Sequence, residues 1–352
     1  MAGSDGRPST ISTHERELTA AVDLCRPDGR LLDPAAMGWS RTPMHRANLR
    51  GRRLRTKTWD YWAVLAGDLV VGLVYADIGY LGLASVWWGD LRTGETGGRD
   101  LARPFARGIT LPDVPASAPL RVDDRHLSMR LADEPGGTHL AVRWREADGA
   151  DGELDVLVTM PPGHESLSVV IPWSERRFQF TTKDQARPAH GTLRRGDRLD
   201  ELGAQQPAWG VLDVGRGRWP YAIDWNWGGG AGRAGTGELV GLQFGARWTR
   251  ATGFTENAVT VDGRLHKLGR ELRWDYDWDQ PMSPWHVHDP DGALDLTLHP
   301  RLDKHSRTTA LVLGTEVHQV FGRWSGRLRL QDGRELRLDD AQGFAEEARN
   351  RW

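Results

Sequence analysis

Apolar and polar residues alternate with a period of two through much of this chain, and Asp-Gly pairs punctuate the runs. Leu154 to Met160, Leu167 to Trp173 and Leu294 to Leu298 each read as half-buried strands, and Leu328 to Leu338 as two short strands around a turn. Asp28-Gly29, Asp262-Gly263, Asp291-Gly292 and Asp332-Gly333 fall between such runs. Tight antiparallel turns need the positive φ that these pairs supply. The pattern predicts an all-β protein built as an antiparallel meander, the design of up-and-down barrels. Helical pattern is confined to His14 to Ala21 and Ala341 to Trp352, which predict one or two peripheral helices.

At 352 residues the chain exceeds one ordinary core and suits two domains. It also repeats itself. Val71-Gly72-Leu73-Val74-Tyr75-Ala76 is matched by Val240-Gly241-Leu242-Gln243-Phe244-Gly245. An aromatic-rich segment precedes each, Trp59 to Trp62 in one half and Trp219 to Trp227 in the other. These matches predict a duplication, with the boundary in the polar stretch Arg194 to Gln206, so that 1–200 and 201–352 form one barrel each. The proline-rich segment Leu111 to Pro119 reads as a loop inside the first half.

Composition excludes several classes. The formal net charge is −2 and lacks the concentrated positive charge of a nucleic-acid surface. A single cysteine, Cys25, rules out an internal disulfide framework and a cysteine-based zinc site. Met1 to Glu17 is polar and unlike a signal peptide, and Tyr61 to Ala84 carries Asp68 and Asp77 among its apolar residues, unlike a transmembrane span. A cytoplasmic location is expected. Gly230 to Gly235 has the letters G-x-G-x-x-G, but the next segment reads as a strand, so a dinucleotide site is rejected. His286 and His288 share a strand face near Asp289 and His299. Without clear third and fourth ligands they read as a solvated polar face, and neither metal nor cofactor is expected.

The 17 Trp residues outnumber Tyr and Phe together. Most can be core filling, but several cluster with carboxylates or amides. Thr58-Trp59-Asp60-Tyr61-Trp62 leads to Tyr75 and Asp77; Asp224-Trp225-Asn226-Trp227 precedes a glycine run; Thr255-Glu256-Asn257-Ala258 leads to His266-Lys267 and then to Trp274 through Asp279. An acid beside aromatic surface has its charged form disfavoured by desolvation, which suits a general acid near neutral pH. Indole faces also stabilise a developing cation by roughly 0.5–2 kcal/mol. The bland alternative, that the polar residues face solvent or bond a barrel rim, is favoured for Asp275, Asp277 and Asp279 and stands level with function for Glu256 and Asn226.

Gly38-Trp39-Ser40-Arg41-x-Pro43, Asn48-Leu49, Lys57-x-Trp59-Asp60-Tyr61-Trp62, Trp225-Asn226-Trp227 and Thr255-Glu256-Asn257-Ala258-x-x-Val261-Asp262-Gly263-x-Leu265-His266-Lys267 together resemble the DUF2804 family. That family is distantly similar to tandem lipocalin-like proteins that include carotenoid 1,2-hydratases and fungal Diels–Alderases. The resemblance implies two tandem calycin barrels with a ligand site in a barrel mouth or at their junction. It carries over no reaction and no catalytic residue.

With the carboxylates set among indoles, the leading expectation is a cofactor-independent enzyme acting on an apolar small molecule of isoprenoid or polyketide type, by hydration, isomerisation or cyclisation. Glu256 is the first candidate acid, with Asp77 and Asp60 as alternates. Asn226 and Asn257 would orient water or substrate. Trp59, Tyr61, Trp225, Trp227 and Trp248 would line the pocket, with His266 beside them. A non-catalytic lipid carrier predicts instead a cavity that no ionisable group enters. A carbohydrate-active protein predicts an open, polar, Trp-floored groove with paired carboxyl groups.

Overall fold

The alternation noted in the sequence is realised as strands in nearly every segment. The structure, a computed structural model, describes residues 14–310, 313–330 and 332–351. The strands used below are β1 (Thr56–Ala66), β2 (Leu69–Asp77), β3 (Arg177–Arg195), β4 (Ala208–Arg218), β5 (Ala222–Arg233), β6 (Leu239–Ala246), β7 (Leu294–Ala310), β8 (Leu313–Arg329) and β9 (Glu335–Arg351). A 13-stranded sheet runs through β2, β1, β4 and β3, and a nine-stranded sheet through β6, β5, β9, β8 and β7. Their ladders are antiparallel throughout. The chain passes from one sheet to the other at Trp219-Pro220-Tyr221, so β4 still belongs to the first.

Both sheets curl, and the two ends of the first meet. In the first, Arg103 donates to the Asp123 carbonyl at 2.8 Å, and the Gly98 amide donates to Glu146 at 2.7 Å. The Leu111–Pro119 loop lies within the first sheet's strand sequence. The two internally similar segments fall on β2 and β6, each paired to the aromatic-rich strand before it, β1 and β5.

The Asp-Gly turns form as expected; Asp262 and Gly263 take φ 47° and 79° between two paired strands. The helices do not. His14 to Ala21 is an extended strap whose Glu17 bridges to Trp39. Ala341 to Arg351 is the second half of β9, with Trp352 outside the described residues. Its Ala- and Glu-rich composition favours a helix, but β5 and β8 flank it on both sides and bury nearly all of it. Burial between two ladders overrides local propensity there. Helical structure among the described residues is limited to two single 3₁₀ turns, Pro34–Ala36 and Arg53–Arg55. No helix among them is long and apolar enough to cross a membrane.

Three apolar layers result. One fills the first sheet's curl around Trp62, Leu73 and Val156, and another fills the second around Leu242, Trp285 and Trp324. The third lies between the sheets, where Tyr61, Leu65 and Val211 pack on Trp227, Phe321 and Phe344. Strands β1, β3 and β4 are therefore buried on both faces.

Tryptophan and glycine abundance explain each other in part. Trp59, Trp88 and Trp144 sit directly across a ladder from Gly215, Gly97 and Gly152. A Cβ on those glycines would stand 2.1, 2.6 and 2.0 Å from the indole ring atoms. The rings lie flat over bare backbone, which only glycine allows. We predict that Gly215→Ala destabilises the protein by about 1–3 kcal/mol, the usual cost of overpacking, read from urea denaturation with Trp fluorescence. An unchanged midpoint would show that Trp59 repacks freely.

Candidate active site

Because side chains alternate across a strand, β1, β3 and β4 carry two different polar sets. Asp60, Trp62, Thr182, Asp184, Leu212 and Val214 face the interior of the first curl, while Trp59, Tyr61, Thr181, Lys183, Val211 and Asp213 face the second sheet. Each face builds a cluster.

The interior face lines a partly enclosed cavity of about 330 Å³. Its walls are largely apolar, from Trp62, Leu120, Leu131, Leu212 and Val214, and the Leu111–Pro119 loop and Met160 border it. Asp60 projects into it, with Oδ1 2.7 Å from Arg216 Nη2. Burial raises the Asp60 pKa; Arg216 opposes this, and Asp213 and Asp133 add to it. Opposite the chain from Asp60 in sequence, His164 Nε2 lies 2.8 Å from Asp184 Oδ1, both nearly inaccessible to solvent. Arg187 stands 3.6 Å from the same carboxylate.

A β-bulge makes that last arrangement possible. Asp184 pairs with Leu212 and Arg187 with Gly210, so Gln185 and Ala186 together oppose Val211. Ala186 accordingly takes φ +60°. In a regular strand residues three apart point to opposite faces; the extra residue turns Asp184 and Arg187 to the same cavity. Arg187, whose guanidinium pKa burial lowers, is fixed by donating to the Val158 and Thr159 carbonyls at 2.9 and 3.0 Å.

The outer face meets the second sheet in a packed cage of indoles. Lys183 and Asp213, direct cross-strand partners, lie 2.8 Å apart. The Lys183 ammonium sits 4.4 Å from the Trp227 ring centre. Three carboxylates each accept an indole N–H: Asp213 from Trp59 at 3.1 Å, Glu256 from Trp248 at 2.8 Å and Glu346 from Trp225 at 2.8 Å. Trp219 stands edge-on to Trp59, Trp173, Trp225 and Trp248. Burial pushes the Glu256 and Glu346 pKa values up to about 7, with Lys183 pulling both down.

The residues singled out from sequence are thus divided. Trp59, Tyr61, Trp225, Trp227, Trp248 and Glu256 come together, but at the sheet junction rather than on the cavity wall. Asp60 alone of the candidates lines the cavity. Asp77 caps the Gly79 amide at 2.7 Å, at the end of β2. Asn257 is committed to backbone at both ends, accepting from Gly245 and donating to Arg270. Asn226 donates to Tyr276 and the Glu346 carbonyl and accepts from Arg247, at the second curl. His266 is half-buried on the strand Arg264–Leu268, its pKa lowered by burial, and lines no part of the cavity. His286 and His288 do share a face, stacked at 4.6 Å, but their carboxylate partners are Asp295 and Asp275, not Asp289.

His164, Lys183, Asp184, Arg187, Asp213 and Glu346 were missed. The signal for three of them was present: Thr181-Thr182-Lys183-Asp184-Gln185-Ala186-Arg187 is a dense polar run directly after Phe178-Gln179-Phe180. Polar residues on both faces of a strand that long need a reason.

The family described as a domain of unknown function, DUF2804, matches residues 15–352. No curated protein matches the sequence. Among solved structures, kievitone hydratase from Nectria haematococca shares 10% identity, with 84% of this chain and 88% of that one covered at a TM-score of 0.45. An AttH-type protein from Nitrosomonas europaea shares 12% identity, with 94% and 99% covered at a TM-score of 0.41.

Two outcomes follow for the indole cage. Lys183→Met leaves Asp213 buried without its cation, so it should destabilise the protein by about 3–5 kcal/mol in urea titrations at pH 7. An unchanged midpoint would show that water reaches Asp213. In the unfolded chain Glu256 and Glu346 ionise near 4.5, while in the fold they hold their protons to about 7. The unfolded state therefore releases protons first as pH climbs, and stability falls between about 4.5 and 7. Each group contributes up to roughly 3 kcal/mol to that fall. Glu256→Gln should reduce the slope, gaining stability at pH 8 relative to pH 5; an unaltered slope would exclude the group.

Proposed function

The chain belongs to the DUF2804 family, and we propose that it is a cofactor-independent acid–base enzyme acting on a small, largely apolar molecule in the cavity of the first sheet. One observation carries this reading: Asp60 and the His164–Asp184 pair both face into an apolar-walled cavity. A carrier needs no ionisable group there, and a buried carboxylate and imidazole are costly to keep without a use. The cavity is at the lower end of the roughly 300–1,000 Å³ typical of small-molecule sites.

Asp60 acts as the acid. Burial raises its pKa above the ordinary carboxylate value against the pull of Arg216, which favours the protonated form that would deliver a proton to a carbon–carbon double bond or a carbonyl of the ligand. His164, held through Nε2 by Asp184, keeps Nδ1 for the second transfer, taking a proton from water or from an adjacent carbon. In a hydration the proton from Asp60 and the hydroxide from water add across the double bond. His164 then gives the proton taken from water to solvent and Asp60 regains one from solvent, so the cycle balances in protons and involves no redox change. In an isomerisation the second proton comes from the ligand itself. Glu256, the first candidate from sequence, is buried at the sheet junction on the Trp248 indole in this reading and does not touch the ligand.

The carbohydrate reading has one match, an open groove of about 1000 Å³ bordered by Trp87, Trp88, Asp100 and Glu146. Glu146, however, accepts from the Trp88 and Trp144 indoles and the Gly98 amide, each at 2.7 Å. These three donors occupy both of its oxygens and tie the carboxylate to the protein rather than to a ligand in the groove.

The test is native mass spectrometry of the gently purified protein, with organic extraction of any bound molecule. Incubated in D₂O with the extracted compound, the wild type should incorporate deuterium or water. Asp60→Asn and His164→Gln should each slow this by about 10²–10⁴-fold while leaving binding intact. A compound bound but never altered by the wild type would make the protein a carrier.

A further inference from the structure

At the open end of the second sheet, a row of side chains crosses three strands on the inner face. Glu347 on β9 pairs with His318 on β8, and His318 pairs with His305 on β7. The two imidazoles stack with ring centres 4.1 Å apart, 4° from parallel. Glu316, two residues before His318 and therefore on the same face, brings its carboxylate to 3.2 Å from His305 Nε2. One ligand-type atom from each of His305, Glu316 and His318 lies within 4.8 Å of the other two.

A further contact selects among the functions such a cluster can have. His318 Nδ1 lies 2.7 Å from Asp303 Oδ2, which fixes the ring and leaves Nε2 for another partner. A carboxylate behind an imidazole is the usual support of a metal-ligating histidine. The other oxygen, Asp303 Oδ1, is buried with no hydrogen-bond partner, so the support carries uncompensated negative potential. Trp278 packs edge-on to His318 and closes that side from solvent. The cations nearby are Arg307, 3.9 Å from Glu316, and two that pair with Glu347: Arg247 at 2.9 Å and Arg349, which stacks on Trp278, at 2.7 Å.

We propose that His305, Glu316 and His318 bind a divalent transition-metal ion of the zinc class, with Asp303 orienting His318. Two neutral imidazoles and one carboxylate are a common zinc donor set, and three protein ligands leave a position open to water. Bonds of about 2.0–2.2 Å place tetrahedral donors roughly 3.3–3.6 Å apart, so the side chains close by an ångström or so on binding. The comparable group at Asp275, His286 and His288 is the weaker candidate. There both Nε2 atoms are occupied by Asp295 and Asp275, and Arg327 approaches Asp295 at 3.9 Å. The proposal is independent of the cavity in the first sheet.

The experiment uses the full chain, free of any affinity tag and stripped with chelator. Zn²⁺ is titrated by calorimetry, Co²⁺ by its visible absorption, and stoichiometry is read by native mass spectrometry. One equivalent should bind in the micromolar range or tighter, with the Co²⁺ band intensity of a four-coordinate site. His318→Ala and the more exposed His305→Gln should each abolish it, Asp303→Asn should weaken it about 10–100-fold, and His286→Ala should leave it unchanged. Circular dichroism on each variant separates lost ligands from lost fold. No binding below millimolar concentration overturns the proposal, as does binding that survives His305→Gln or disappears in His286→Ala.

Discussion

The buried pair of Lys183 and Asp213 holds the two-sheet arrangement to one solution. An ammonium and a carboxylate removed from water are tolerated only with close geometry and satisfied hydrogen bonds. Both are met here: the ions are 2.8 Å apart, and Asp213 also accepts from Trp59 and Thr181. The Trp227 face covers the ammonium from the second sheet. Sliding the sheets past one another would strip the cation of its ring. The pair thus contributes registry between sheets more than raw stability, while the apolar contacts of Tyr61, Val211, Phe321 and Phe344 supply the area.

The fold was legible where its cause is local. Alternation from Leu154 to Met160 reads directly as the exposed–buried pattern of the strand Asp151–Thr159, and Asp262-Gly263 as a turn. The closing strand was not legible, because Ala341 to Ala348 carries helix-forming residues whose burial comes from partners far away in sequence. The sheet changeover at Trp219-Pro220-Tyr221 was hidden for a similar reason. The polar stretch Arg194 to Gln206 looks like a linker but pairs back on β3 through Arg198–Leu202.

The site divided along the same line. Sequence reasoning found the indole-bearing segments, since Trp59, Trp225 and Trp248 advertise themselves, and it named Asp60 beside them. It could not tell which face of β1 each residue takes, and that decides everything: Asp60 enters the cavity while Trp59 and Tyr61 go to the junction. His164 lies in a loop and meets Asp184 only through the fold, so no spacing announces the pair. The bulge at Gln185-Ala186 is equally silent, because neither residue is a glycine.

Two-sided strands also limit how this protein can change over time. In β1, β3 and β4 neighbouring residues serve different clusters, so inserting or deleting one residue exchanges the cavity set for the junction set along the rest of that strand. Asp60 would then face the indoles and Trp59 the ligand. Only paired insertions, or a second bulge that cancels the first, keep both sets in place. Length changes in relatives of this chain should therefore collect in the loops, and within these three strands they should come in even steps.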